Sequence, residues 1–196
     1  FATTSSYDWY ISQYLSDISK DKEYFPDHIY AHFEKVQELR YGENPHQKAA
    51  IYHRPSEKLP YNQLSGKELS YNNLIDIDSA IMLPQEYEQP TVAIIKHTNP
   101  CGVGVDTELA SAFDKALATD SVSAFGGIIG VNCTLDVPTA EKISQMFVEV
   151  VLAPDFEPAA FELLSEKKNL RILKVGKSLH LKSQLPEIKT VNGGLL

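Results

Sequence analysis

From residue 91 to residue 175 the chain alternates between short Val- and Ile-rich runs and stretches with helical spacing, and this rhythm restricts the fold more than any other feature. The apolar runs are 91–96 (TVAIIK), 126–132 (GGIIGVN), 149–154 (EVVLAP) and 171–175 (RILKV). Between them, 107–118, 138–147 and 158–166 have the length and periodicity of helices, the second with Pro138 in its first turn. Strands that are apolar on both faces and separated by helices need cover on both sides. The prediction is an α/β fold in three layers, a mostly parallel sheet flanked by helices.

The first ninety residues are less regular. Ser5 and Ser6 can cap a helix whose apolar residues Tyr7, Tyr10, Ile11, Tyr14, Leu15 and Ile18 share one face. The alternation of Ile29, Ala31 and Phe33 predicts a strand, 49–52 (AAIY) predicts another, and a helix is expected from Asn72 to just before Pro84. Residues 19–28 are the best linker candidate, which divides the chain into an N-terminal helix and linker, 1–27, and a main body, 28–196. The opening FATTSSYDWY has no methionine, no positive leader and no apolar core of signal-peptide length, as expected of a piece of a longer chain.

Composition removes several function classes. The longest apolar stretches fall far short of the roughly 20 residues needed to span a bilayer. Two cysteines, Cys101 and Cys133, are too few for a disulfide scaffold, so a reducing cytoplasm is the expected location. A net charge of −8 argues against nucleic acid as partner, because phosphate contacts need clustered Lys and Arg. Six of the basic residues crowd into 165–182, which reads as a solvated helix-to-strand face.

Ligands of open α/β sheets collect beyond the C-terminal ends of the strands, which directs attention to Lys96-His97-Thr98-Asn99-Pro100-Cys101-Gly102. A Lys beside a His there sets a cation and a titratable imidazole at the mouth of a crevice, able to stabilise developing negative charge and to take a proton. Alone, such a pair is most often an ordinary surface pair. Familiar signatures fail nearby. Gly102-Val103-Gly104 lacks the third glycine of a dinucleotide fingerprint, whose place holds Thr107, and Ser65-Gly66-Lys67-Glu68 lacks the earlier glycine and the hydroxyl of a phosphate loop. His32-Phe33-Glu34 with Pro100-Cys101 begins a zinc deaminase signature, but Gly104 occupies the second Cys position, and two ligands do not hold zinc.

Four segments taken together are more specific: 39–47 (LRYGENPHQ), 66–73 (GKELSYNN), 96–102 (KHTNPCG) and 123–127 (SAFGG). In this order and spacing the chain resembles the formyltransferase region of the bifunctional purine-biosynthesis enzymes that join 5-aminoimidazole-4-carboxamide ribonucleotide (AICAR) formyltransferase to IMP cyclohydrolase. The resemblance runs through nearly the whole chain, to 191–196 (VNGGLL). It implies a cytidine-deaminase-like half-domain without zinc: 1–27 at the junction with the cyclohydrolase domain, and 28–196 as the first half of the formyltransferase region.

The resemblance also implies a reaction. The 5-amine of AICAR attacks the formyl carbon of the co-substrate 10-formyltetrahydrofolate, and the other domain closes the product to IMP. It makes His97 the base and Lys96 the stabiliser of the oxyanion. It places Arg40 and Tyr41 on the nucleotide, Phe125 and Gly126 beside it, and Glu149, where other members carry Asp, on the ribose hydroxyls. His46 and Asn99 are expected in support behind them. The partners implied are a nucleotide and a folate, with a homodimer in the full-length parent whose subunits share sites. The family's carboxamide-binding Asn and its folate-binding Arg and Asp fall in the half this chain does not include, so the chain alone is expected to be inactive. A non-catalytic nucleotide-binding or dimerisation module is the competing reading.

Overall fold

The computed structural model describes residues 1–18, 27–55, 58–176 and 188–195. They form two compact units, one of 1–39 and 49–59, the other of 40–48 and 60–196.

In the first unit, helix α1 (Ala2–Ile18) begins earlier than expected, so Ser5 and Ser6 lie inside it rather than capping it. The Ser6 hydroxyl donates instead to the Ala2 carbonyl at 3.0 Å, the back-bonding open to a serine within a helix. Trp9 packs edge-on against His32, with ring centroids 5.3 Å apart. The early strand is displaced: β1 is Glu34–Leu39, paired antiparallel with β2 (Ala49–His53), while Ile29, Ala31 and Phe33 precede it without strand pairing. Most of the expected linker at 19–28 lies outside the described residues.

The second unit carries the sheet. Its elements are β3 (Tyr61–Ser65), α2 (Tyr71–Met82), β4 (Thr91–Lys96), β5 (Asn99–Val105), α3 (Leu109–Thr119), β6 (Ile128–Val131), α4 (Val137–Ser144), β7 (Val150–Ala153), α5 (Pro158–Ser165) and β8 (Arg171–Val175), with a two-residue pairing of β9 (Thr190–Val191) and β10 (Gly194–Leu195) near the end. A 3₁₀ turn at Leu83–Glu86 holds Pro84 just past α2, where a proline ends a helix. Ser70 and Asn73 form a reciprocal capping box at the start of α2, and the Asp136 carboxylate caps α4 by accepting from the Thr139 amide at 2.9 Å.

The six-stranded sheet has the order β3-β8-β7-β6-β4-β5. Only β6, β7 and β8 run parallel; β3 is antiparallel to β8, and β4 is antiparallel to both β5 and β6. The sheet is therefore mixed, not mostly parallel. The expectation failed because β3 and β5 were not recognised as strands, and because nothing in a buried apolar run encodes its direction. Pro100 and Gly102 speak against a strand, yet β5 is an edge strand, and Pro100 sits at a register shift where its missing donor costs least.

The three layers are as predicted. Along each strand, residues alternate between two apolar clusters. Val92, Ile94, Ile129, Val131, Val151 and Ile172 face α3, α4 and α5, while Ala93, Ile95, Ile128, Val150, Leu152 and Leu173 face α2. The buried runs explain why 91–95 and 150–153 carry no polar face, Thr91 alone excepted. Among the described residues no helix is long and apolar enough to cross a membrane.

Helix α2 crosses β6 very closely. A Cβ added at Gly130 would stand 1.9 Å from the Ala80 carbonyl oxygen, which only movement of the helix can relieve. Gly130→Ala should therefore lower the unfolding free energy by about 3 kcal/mol, the upper range of overpacking, measured by denaturant titration. An unchanged midpoint would show that α2 is not seated as described.

Candidate functional site

The hairpin joining β4 to β5 closes in two residues, since Lys96 pairs with Asn99 across the sheet. His97 and Thr98 occupy that turn with φ of 53° and 61°, both left-handed, as the type I′ hairpin turn requires. Such turns normally use Asn, Asp or Gly; for other residues this conformation costs about 1–2 kcal/mol each. The turn is held from α2: the Asp76 carboxylate accepts the Thr98 amide at 2.6 Å and the His97 amide at 3.2 Å. The His97 carbonyl in turn accepts from the Asn99 side chain at 2.8 Å and the Thr98 hydroxyl at 2.7 Å. On a regular strand neighbours point to opposite faces, but the chain leaves β4 at Lys96, and both Lys96 and His97 line one cavity.

The Lys96 ammonium donates to the Phe125 carbonyl at 2.8 Å, tying the end of β4 to the loop that enters β6. That loop is braced at its start, where the Ser123 hydroxyl and amide bond Asp120 and hold its carboxyl below the usual carboxylate range. At its end Gly126 has φ of +74°, a conformation glycine adopts without strain, and its amide donates to the Phe147 carbonyl at 2.8 Å. Phe125 is exposed and packs on Phe147 with ring centroids 5.3 Å apart.

Next along the sheet, Glu149 stands at the entry to β7 and Arg171 at the entry to β8, linked by the Arg171 amide to the Glu149 carbonyl at 3.1 Å. The Glu149 carboxylate accepts from buried Asn73 at 2.8 Å and lies 3.8 Å from the Arg171 guanidinium, which also donates to the Glu68 carbonyl at 3.0 Å. The Asn73 side chain thus joins the helix cap to the acid of the site.

These groups surround a cavity of about 400 Å³, lined by Tyr41, Lys96, His97, Gly126 and Glu149 together with Lys67, Asn73, Asp76, Phe147 and Arg171 among others. Arg40 opens on an adjoining recess of about 310 Å³ that shares Tyr41, Lys67, Ser70 and Arg171, and its guanidinium lies 5.7 Å from the Tyr41 ring centre. Six of the nine residues singled out in the sequence thus line one continuous crevice. Phe125 lies at its rim through Phe147. Asn99 lines a second recess that shares Lys96 and His97 with the main cavity and adds Cys101 and Asp120, and its side chain donates to the His97 carbonyl. Burial and the neighbouring Asp120 push the Cys101 thiol up. His46 is exposed and lines neither cavity.

The crevice lies at the C-terminal end of β4 but at the N-terminal ends of β6, β7 and β8. The loop singled out by the strand-end rule thus lines the crevice through the one central strand that runs against its neighbours. Sequence reading did not single out Lys67, Asn73, Asp76 and Arg171, which the fold brings to the crevice. Lys67 and Asn73 sit within the informative segment 66–73, and the capping pattern from Ser70 was available. Arg171 belongs to the basic run taken for a solvated face, of which 177–182 lie outside the described residues. Asp76 left no signal, since a single acid on a helix is commonplace.

The whole chain carries a charge of −8, yet the main cavity brings Lys67, Lys96 and Arg171 against Asp76 and Glu149, and Arg40 adds a further cation next door. The local field favours an anion. Backbone and amide donors, a carboxylate and an imidazole complete a set able to orient a polar ligand and move one proton. Among the described residues no three His, Cys, Asp or Glu side chains gather as a metal site.

Comparison with known proteins adds the following. The sequence pattern of the AICARFT/IMPCHase bienzyme family matches residues 1–196. Bifunctional purine biosynthesis protein PurH of Oceanobacillus iheyensis is 44% identical over 200 residues, and that of Thermoanaerobacter sp. (strain X514) 47% identical over 199. The protein of the same name from Pediococcus pentosaceus is 45% identical over 201 residues. All of this chain is covered in each case, but only 38–39% of the relative, so the chain spans about two fifths of the length of the curated relatives it matches.

Asn73→Ala removes one half of the α2 capping box and the hydrogen bond to Glu149 together. A loss of about 2 kcal/mol in unfolding free energy is expected, from one cap and one charge-assisted bond. A thermal melt indistinguishable from wild type would show that neither bond matters in solution.

Proposed function

The chain belongs to the AICARFT/IMPCHase bienzyme family, and on that basis we propose that its crevice is the nucleotide-binding side of a formyltransferase site in the parent enzyme. The observation that carries the reading is the placing of Lys96 and His97 together in an anion-attracting crevice of nucleotide size. In the reaction the amine of AICAR adds to the formyl carbon, and the tetrahedral centre so formed then breaks its bond to the folate nitrogen, which takes up the proton that the amine gives away. The amine is a weak nucleophile and must shed a proton as it attacks. His97, exposed at the turn, accepts that proton. Lys96 spends one of its three donors on the Phe125 carbonyl and keeps the others for the negative charge that develops on the formyl oxygen. Arg40, with Tyr41 beside it, takes the nucleotide phosphate, a pairing suited to a planar guanidinium. Glu149, held by Asn73, accepts from the ribose hydroxyls, and Phe125 with Gly126 borders the imidazole ring.

10-Formyltetrahydrofolate supplies the formyl group. By resemblance, the residues that meet it lie in the other half of the formyltransferase region, together with the Asn that reads the carboxamide. The chain on its own is therefore a binding half without turnover, and the full-length parent adds IMP cyclohydrolase activity and pairs as a homodimer in the cytoplasm. The cytidine-deaminase-like character of the half-domain belongs to this reading too. Its support is the match along all 196 residues and a sheet layered between helices.

The test uses the full-length parent. His97→Ala should reduce kcat for formyl transfer by about 10³-fold or more, the scale of a lost general base, followed by the absorbance of the folate product. Near-normal turnover would overturn the role of His97. Arg40→Ala should instead raise the nucleotide KM by about 10- to 100-fold, since a charge-assisted contact to phosphate is worth about 1.5–3 kcal/mol. An unchanged KM would remove Arg40 from the nucleotide.

A further inference from the structure

We propose that Asp76 is a positioning residue for His97: its carboxylate holds the left-handed turn that aims the imidazole into the crevice. The proposal rests on the formyltransferase reading above and assigns a role to a residue which that reading leaves unused.

Left-handed backbone is unfavourable for both residues of the turn. His visits it occasionally, but for β-branched Thr98 it is a genuine outlier. When two successive residues adopt it, as His97 and Thr98 do, their amides stand close together and form a concavity for negative charge. The Asp76 carboxylate fills that concavity with one oxygen for each amide, at 2.6 Å and 3.2 Å. The support behind it is rigid. Asp76 is in the second turn of α2, whose start is locked by the Ser70–Asn73 box and whose buried face, Ile77, Ala80 and Ile81, is seated on the sheet. The carboxylate is thus fixed to the sheet through the helix, and the turn is fixed to the carboxylate. Without it, the remaining bonds of the turn, from Asn99 and the Thr98 hydroxyl to the His97 carbonyl, are all local and move with the hairpin. A turn released in this way relaxes toward right-handed backbone, which swings the imidazole away from Lys96 and the amine it serves.

A positioning role differs from a contact with substrate in what it costs. Misplacing the base by about 1 Å leaves the nucleotide bound but costs about 10²-fold in rate. In the full-length parent, Asp76→Ala should therefore lower kcat by about 30- to 100-fold with nucleotide KM changed less than about threefold. Asp76→Asn keeps one acceptor oxygen but sets an NH₂ group against the other amide, so its kcat should fall between the two. Thr98→Gly placed on Asp76→Ala should recover kcat at least about fivefold, because glycine takes left-handed backbone without cost. A purely structural role would not respond to that rescue. Thermal melts accompany each variant, and if Asp76→Ala does not fold, Asp76→Asn with and without Thr98→Gly decides the matter.

Two results would overturn the proposal. One is kcat for Asp76→Ala within about twofold of wild type; the other is a raised nucleotide KM at unchanged kcat, which would make Asp76 a substrate contact. His97→Ala run alongside separates the two readings. If it retains turnover, the formyltransferase reading of His97 falls; if it is inactive while Asp76→Ala is normal, only the positioning role of Asp76 falls.

Discussion

One central strand runs against its neighbours, and the crevice exists because of it. With β4 antiparallel to β6, the end of β4 meets the beginnings of β6, β7 and β8 at a single edge of the sheet. A side chain leaving β4 at Lys96 therefore stands beside residues entering the next three strands: Gly126, Glu149 and Arg171. Had β4 been parallel to them, Thr91 would occupy that edge, and Lys96 and His97 would lie at the opposite one, among the ends of the other strands. Because β4 is also hydrogen-bonded on its far side to β5, its position is set by pairing on both edges and by burial on both faces. The site is built on the most constrained strand of the sheet.

The polar groups at that edge hold one another in pairs. Asn73 and Arg171 both address Glu149, Asp76 answers the amides of the turn, and Lys96 is tied to the Phe125 carbonyl. All four links join elements at least 21 residues apart in the chain, so the geometry of the crevice depends on the correct assembly of the sheet. They also explain how a chain of net charge −8 presents an anion-attracting surface: the cations converge on this edge, while many of the acids lie elsewhere. Electrostatic attraction of this kind is local, and the overall charge says little about it.

Backbone strain is concentrated in the same place. Among the described residues the non-glycine positions with positive φ are His97 and Thr98. Strain of this kind persists only where surrounding structure over-determines it, and here a carboxylate on a capped, packed helix does so. The adjoining Gly126, also at positive φ, carries no such cost. The crevice thus pairs one strained turn with one unstrained turn, on adjacent strands.

What the sequence determined by itself was local and periodic. The runs 91–96 and 171–175 became strands at those bounds, Pro84 ended α2, Pro138 opened α4, and the segments 39–47, 66–73, 96–102 and 123–127 carried the family resemblance and most of the residues that line the crevice. These features depend on propensity and on spacing within a few residues, which a linear reading can follow. Strand direction, the identity of β5 as a strand and the convergence of Asp76 and Arg171 on the crevice were decided only by tertiary structure. A buried apolar run packs equally well in either direction, so pairing with distant strands had to choose. A turn of His and Thr carries no hairpin signature, and in the fold a carboxylate 21 residues earlier meets its amides. An arginine in a basic run is indistinguishable from its neighbours until the fold sets it beside Glu149.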